Sequence, residues 1–381
     1  MIYPDYHHSI VNLTSSILKA FNTNSAYSPL EELGNLKQYK NIVLLLIDGL
    51  GYEYIQKYGQ NSELNKHCIN KITSVFPSTT ASATTALETG VAPQQHGIAG
   101  WFMFLKEIGV LAKILPFKSR YGGQNFVNDN IQRKDIFTEK RIVDKIKSPA
   151  FIIYPSSIVD GQVNRESKNL LPYKNLNGFL SQIKKLIKSS NKRKYIYAYW
   201  IKFDALCHEK GCASKDANNH FWQLDKKISS LSKSLKGTNT ALIITADHGL
   251  IDTTEKSKII LLKNHPKLVE TLTMPLSGES RTAYCYVHPQ KTQQFEYYIK
   301  NNLDYCCEAY KSIDLLNKGI FGLFEPNKKL IDRIGDYILV MKENYIMKDF
   351  LLTEKNECNI GNHGGTSKDE MYVPLIKFDF N

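Results

Sequence analysis

Long apolar runs are missing from this 381-residue chain. The longest, residues 42–47, is of strand length, far short of the ~20 residues that cross a bilayer. The opening MIYPDYHHSIVNL has no basic segment followed by a long apolar one. No secretory signal is therefore expected, and the expected location is cytoplasmic. A disulfide framework is missing too. Cys68, Cys207, Cys212, Cys285, Cys306, Cys307 and Cys358 form an odd set without a CxxC pair. That fits free thiols in a reducing compartment better than a disulfide framework. Internal repeats, low-complexity linkers and blocks of like charge are also absent. With 42% hydrophobic residues the chain can bury a large core, so it reads as one folded domain over residues 1–381. Acidic residues are outnumbered, giving a net charge of +12. The excess is scattered, and its densest run, KKLIKSSNKRK at 184–194, reads as a solvated helix face. Nucleic acid is not an expected partner; a small anionic substrate is.

What is present is a repeating pattern. NIVLLLIDG (41–49), YIYAYWIKFD (195–204) and TALIITADHG (240–249) are continuous apolar runs, and each stops at an aspartate. Such runs suit strands buried on both faces. Residues 176–190 and 221–235 place apolar side chains at three- and four-residue spacing, as amphipathic helices do. The alternation predicts an α/β fold with a central, mostly parallel sheet and helices on both faces. Functional groups gather outside the carboxyl ends of such strands. One aspartate there reads equally well as a helix cap. Three, two of them with histidine nearby, point to a site.

Five segments carry the chemistry: Asp48; PSTTASATTALETG (77–90); Asp204 with His208; Asp247 with His248; and His363 in NIGNHGGT. The i, i+4 spacing puts Asp204 and His208 on one helix face. Asp247 and His248, adjacent at a strand end, project to different sides. Three carboxylates and three imidazoles suit zinc better than magnesium or calcium. A threonine hydroxyl becomes a nucleophile when a metal lowers its pKa, and ASATTALE reads as a helix whose positive end would face the hydroxyl.

In this order the five segments resemble the alkaline phosphatase superfamily, and within it the branch of type I phosphodiesterases and nucleotide pyrophosphatases. The resemblance runs as islands from about residue 41 to residue 374. It implies an alkaline-phosphatase-like fold and two divalent metal ions, zinc by the donor set. One is expected on Asp204, His208 and His363, the other on Asp48, Asp247 and His248. In the family the nucleophilic threonine follows a proline by three residues and precedes the glycine of a Thr-Gly pair by ten. Counted from Pro77 and from Gly90, both spacings select Thr80 among Ser78, Thr79, Thr80, Ser82, Thr84 and Thr85, with Thr79 as fallback. A covalent phospho-threonine intermediate is implied.

One position departs from the family. An asparagine that binds a phosphate oxygen is usual where this chain has Trp101. Lys106, Arg120, Asn125 and Asn128 are the nearest polar replacements in sequence; Trp101 alternatively walls a leaving group such as a base. Arg281 is a candidate clamp for an anionic substrate group. Residues 102–175 are expected to form a cap insertion, and residues 250–362 to complete the sheet. The expected activity is that of a phosphodiesterase or nucleotide pyrophosphatase. A phosphomonoesterase or phosphonate hydrolase on the same scaffold is the nearest alternative, and a catalytically silent zinc-stabilised binding protein is the alternative from another class.

Overall fold

A computed structural model describes residues 1–161 and 169–381. The three apolar runs become neighbouring parallel strands. Asn41–Ile47 lies between Lys194–Trp200 and Thr240–Thr245 in a seven-stranded sheet, and all three are buried throughout. Ala150–Pro155 and Leu170–Tyr173 extend the parallel set beyond Lys194–Trp200. On the other side, Tyr372–Phe380 runs antiparallel to Thr240–Thr245 and is followed by Cys68–Thr73 at the edge. Helices flank the sheet. Ile10–Ala20 packs on Thr80–Thr89, while Leu176–Lys188, Lys202–Lys210 and Lys215–Ser234 form a second group. The register aligns Ile47 with Trp200 and Leu46 with Thr245, so the aspartates that follow these strands emerge at one edge.

A second sheet of seven strands is antiparallel. In order it contains Cys307–Lys311, Tyr337–Met341, Thr282–Cys285, Ser277–Gly278, Phe102–Leu105, Val110–Lys113 and Lys118–Ser119. This corrects two expectations. Residues 102–175 do not form one cap: residues 102–119 belong to the second sheet, residues 150–155 and 170–173 belong to the central one, and residues 162–168 lie outside the described residues. Nor do residues 250–362 complete the central sheet, because their strands at 277–341 pair with residues 102–119 instead. The physical reason is apolar burial. Met103, Leu105, Ala112, Ile114 and Phe117 form a core of their own with Phe126 and Ile136, in a stretch whose polar residues read as a loop.

Arg281 is also corrected. It is buried among the strands, with 1% of its surface exposed, and its donors are taken up. Nε and Nη2 donate to the two carboxylate oxygens of Glu370 at 3.1 and 2.9 Å, and Nη1 donates to the carbonyl of Tyr345 at 2.5 Å. Burial opposes the charge of Glu370, yet Arg281, with help from Ser367 and the Gly365 amide, holds the carboxyl below its usual range. Arg281 is therefore a structural tie between the second sheet and the C-terminal segment, not a substrate clamp. Arg281→Met leaves Glu370 buried without a counter-charge. Urea unfolding is expected to show a loss of about 3–5 kcal/mol; a loss below about 1 kcal/mol, the range of a surface pair, contradicts this role.

Candidate active site

The carboxylates come from the aligned strand ends. Asp48 follows Asn41–Ile47, Asp247 follows Thr240–Thr245, and Asp204 sits in the first turn of helix Lys202–Lys210, just past Lys194–Trp200. Gly49 makes the first turn possible. Its φ is +72°, and a Cβ there would meet Leu250 at 2.6 Å and Asp204 at 3.0 Å. His208, one helical turn after Asp204, places Nε2 3.2 Å from Asp204 Oδ2. His363 arrives on a segment fastened twice. Ile251–Asp252 pairs with Gly361–Asn362, and the Ile360 amide donates to the His208 carbonyl at 2.9 Å. Gly364 lets that segment turn beside the second sheet, with φ at +102° and only 2.7 Å from a hypothetical Cβ to Glu279.

Two carbonyls set the imidazoles. His248 Nδ1 lies 3.0 Å from the Gly249 carbonyl, and His208 Nδ1 lies 2.7 Å from the Gly361 carbonyl. A carbonyl only accepts, so each Nδ1 carries a hydrogen and leaves Nε2 facing the site. His248 Nε2 then faces Asp247 Oδ2 at 3.5 Å, Asp48 Oδ1 at 3.6 Å and the Thr80 hydroxyl at 3.0 Å. Ligand atoms of Asp48, Asp247 and His248 all lie within 4.8 Å of one another, as do those of Asp204, His248 and His363. His248 thus joins both clusters, and His208 abuts the second through Asp204 and a ring distance of 5.0 Å to His363.

The donor atoms fit metal. Among the described residues, Asp48 Oδ1, Asp204 Oδ1, Asp247 Oδ2 and His363 Nδ1 are buried without a hydrogen-bond partner. The other oxygens are held: Asp48 Oδ2 accepts from the Tyr199 hydroxyl, and Asp247 Oδ1 accepts from the Gly49 and His248 amides at 3.1 Å each. Among the described residues no Lys or Arg pairs with these three carboxylates. Burial, then the neighbouring Asp247 and Asp204, push Asp48 well above the carboxylate range. Burial opposes the charge on Asp204, yet His208 holds it well below that range. Burial and the nearby His248 and His208 push His363 well below the imidazole range. Orphaned oxygens beside imidazole nitrogens could hold divalent cations.

Of the six hydroxyls considered in residues 78–85, only that of Thr80 meets the clusters. Thr79 donates to Glu279 at 2.6 Å, Ser78 donates to the Gly365 carbonyl, and Thr84 and Thr85 donate to carbonyls one turn back. Ser82 is buried without a partner. Thr80 is the first residue of helix Thr80–Thr89 and has the positive helix end behind it. Trp101 is half-buried in the wall of a cavity of about 490 Å³ that Thr80, Asp48, Asp204, His208 and His363 also line. Its amide donates to Glu279 at 2.7 Å. His96 stays outside: it accepts from the Ile98 amide, and burial pushes its pKa down to about 3. Sequence reasoning missed Glu279 and Tyr199. Glu279 sits in no motif, and Tyr199 reads as one more core aromatic of its strand.

The sequence profile of the type I phosphodiesterase / nucleotide pyrophosphatase family matches residues 42–366. The chain belongs to this family. It is accordingly a hydrolase of phosphoester bonds within the alkaline phosphatase superfamily, in a metal-dependent family. A comparison with curated protein sequences finds no match. Among solved structures it is similar to murine ectonucleotide pyrophosphatase / phosphodiesterase 5, with a TM-score of 0.67 at 18% identity over 88% of this chain and 87% of that one. An inactive threonine-to-alanine form of that mouse protein, in complex with AMP, is similar at a TM-score of 0.66 and 18% identity, with the same coverage. Phosphonoacetate hydrolase from Sinorhizobium meliloti 1021, in complex with phosphonoformate, is similar at 0.63 and 15% identity, over 89% of this chain and 90% of that one.

The electrostatics predict a proton count. Burial alone would lower His208, but Asp204 more than offsets it and raises the pKa to about 9. In protein stripped of metal, His208 thus holds its proton at neutral pH. Its pairing with Asp204 adds stability in full below the unfolded pKa of about 6.5, and this is lost as pH rises through about 9. A metal must displace that proton. Zinc titrated at neutral pH is expected to release about one proton from His208, read from binding heats in buffers of different ionisation enthalpy. Identical heats in every buffer contradict the assignment.

Proposed function

We propose that the chain hydrolyses phosphodiesters or nucleotide phosphoanhydrides through a covalent intermediate on Thr80. Two divalent metal ions, zinc by the donor set, would be held by Asp204, His208 and His363 and by Asp48, Asp247 and His248. The observation that carries the reading is the Thr80 hydroxyl, 3.0 Å from His248 Nε2 where the two clusters meet. Bound metal ions supply Lewis acidity, lowering the pKa of a hydroxyl and neutralising phosphoryl charge. The Thr80 oxygen attacks phosphorus, the bond to the leaving oxygen breaks, and the threonine proton ends on the leaving alcohol. Water then cleaves the phosphothreonine ester and restores the hydroxyl. The helix behind Thr80 stabilises negative charge on its oxygen. Phe102, Leu115 and Ile158 join Trp101 in the cavity wall, an apolar surface suited to an aromatic leaving group or a base. The mouse relative with bound AMP agrees with a nucleotide substrate. The seven free cysteines support a reducing, cytoplasmic location as part of the same reading.

The test uses bis-p-nitrophenyl phosphate and a p-nitrophenyl nucleotide ester, with zinc. Both are expected to turn over faster than p-nitrophenyl phosphate, and Thr80→Ala to lower kcat by at least about 10³-fold. Chelation should abolish turnover and zinc restore it. Turnover of the diesters no faster than by Thr80→Ala sinks the proposal; preference for the monoester moves the enzyme to the monoesterase class.

A further inference from the structure

Trp101 leaves the phosphate pocket without the amide donor usual in the family, and the neighbours in sequence do not replace it. Lys106 pairs with Asp332 at 2.9 Å. Arg120 is held by Glu354 and by the carbonyls of Leu276 and Asp349. Asn125 donates to the Pro116 carbonyl at 2.8 Å, and Asn128 is exposed and does not line the cavity. Two amides do line it. Asn362 donates to the carbonyls of Asn359 and Ile360, and Asn359 is exposed. The indole of Trp101 adds one neutral N–H.

Lys348 differs from all of these. It ends the short strand Ile346–Lys348, outside the motifs, and is the one Lys or Arg among the described residues lining the cavity of Thr80. No hydrogen bond or ion pair to its ammonium is found among the described residues, whereas Arg120 pairs with Glu354, and Lys113 with the same carboxylate at 3.9 Å. Glu279, the carboxylate on the same wall, accepts from Thr79 and Trp101 through Oε1 and makes no ion pair with Lys348 among the described residues. A half-buried ammonium without a partner is costly and calls for an anion. Lys348 also lines a second cavity of about 340 Å³, which shares Phe102, Glu279 and Ser280 with the first. An anionic oxygen therefore reaches it either from the reacting phosphoryl group or from a further charged group lying in that second cavity.

We propose that Lys348 binds an anionic oxygen of the substrate and so supplies the donor that Trp101 does not. This rests on the phosphoester reading above but is tested apart from turnover. Glycerol 3-phosphate and 3-phosphoglycerate, which adds a carboxylate, are titrated by calorimetry into zinc-loaded Thr80→Ala protein with and without Lys348→Met. Loss of the charge is expected to weaken binding by about ten- to hundredfold, as for a charged hydrogen bond. Weakening of both ligands places the contact on the phosphoryl group; weakening of 3-phosphoglycerate alone places it on the second anion. Lys348→Arg, which keeps the charge, is expected to stay within about threefold of Lys348. Affinities unchanged by Lys348→Met, or an equal loss in Lys348→Arg, overturn the proposal. If the ligands bind as expected but the wild-type protein hydrolyses no phosphoester, the reaction above fails while the anion site stands.

Discussion

Three buried carboxylates converge at one sheet edge, each with an oxygen that no group among the described residues satisfies. Such an arrangement costs stability unless cations enter it. Much of the local architecture follows from holding these oxygens in place. The parallel register brings two strand ends level, and Gly49 lets the first turn pass Asp204. Tyr199 and two backbone amides occupy the outer oxygens, leaving the inner ones free. The carbonyls of Gly249 and Gly361 turn two imidazoles inward. Thr80 then needs no special chemistry of its own, because its surroundings would activate it.

The second sheet completes the site from the opposite side. Its turn at 279–282 contributes Glu279, which accepts from Thr79 and from the Trp101 amide. Thr79 is thereby held off the clusters while Thr80 is turned toward them. Two residues on, Arg281 ties the same turn to Glu370 and so to the glycine segment that carries His363. Thr80, the Asp/His clusters and the cavity wall are thus fastened to one another through a few buried polar contacts.

The central strands and their aspartates were legible because strands buried on both faces leave continuous apolar runs, and a carboxylate at their end has no core role. Thr80 was legible only through family spacing; its hydroxyl chemistry does not differ from that of Thr79, and only the contact to Glu279 separates the two. The second sheet was not legible. Its strands are short, two of them only two residues long, and they join segments far apart in sequence, as Gly278 pairing with Phe102 shows. Arg281 misled for a related reason: an arginine beside an anionic site reads as a clamp until its partner, 89 residues away, is known. Lys348 lay outside every motif and acquires meaning only from the cavity it lines.

The central claim is that the two Asp/His clusters form a single binuclear site around the Thr80 hydroxyl. Anomalous diffraction at the zinc edge from crystals of the zinc-loaded protein tests it most directly. The account predicts two peaks about 4 Å apart, one beside Asp48, Asp247 and His248 and the other beside Asp204, His208 and His363, with the Thr80 oxygen facing both. A single peak, or peaks elsewhere on the protein, contradicts it.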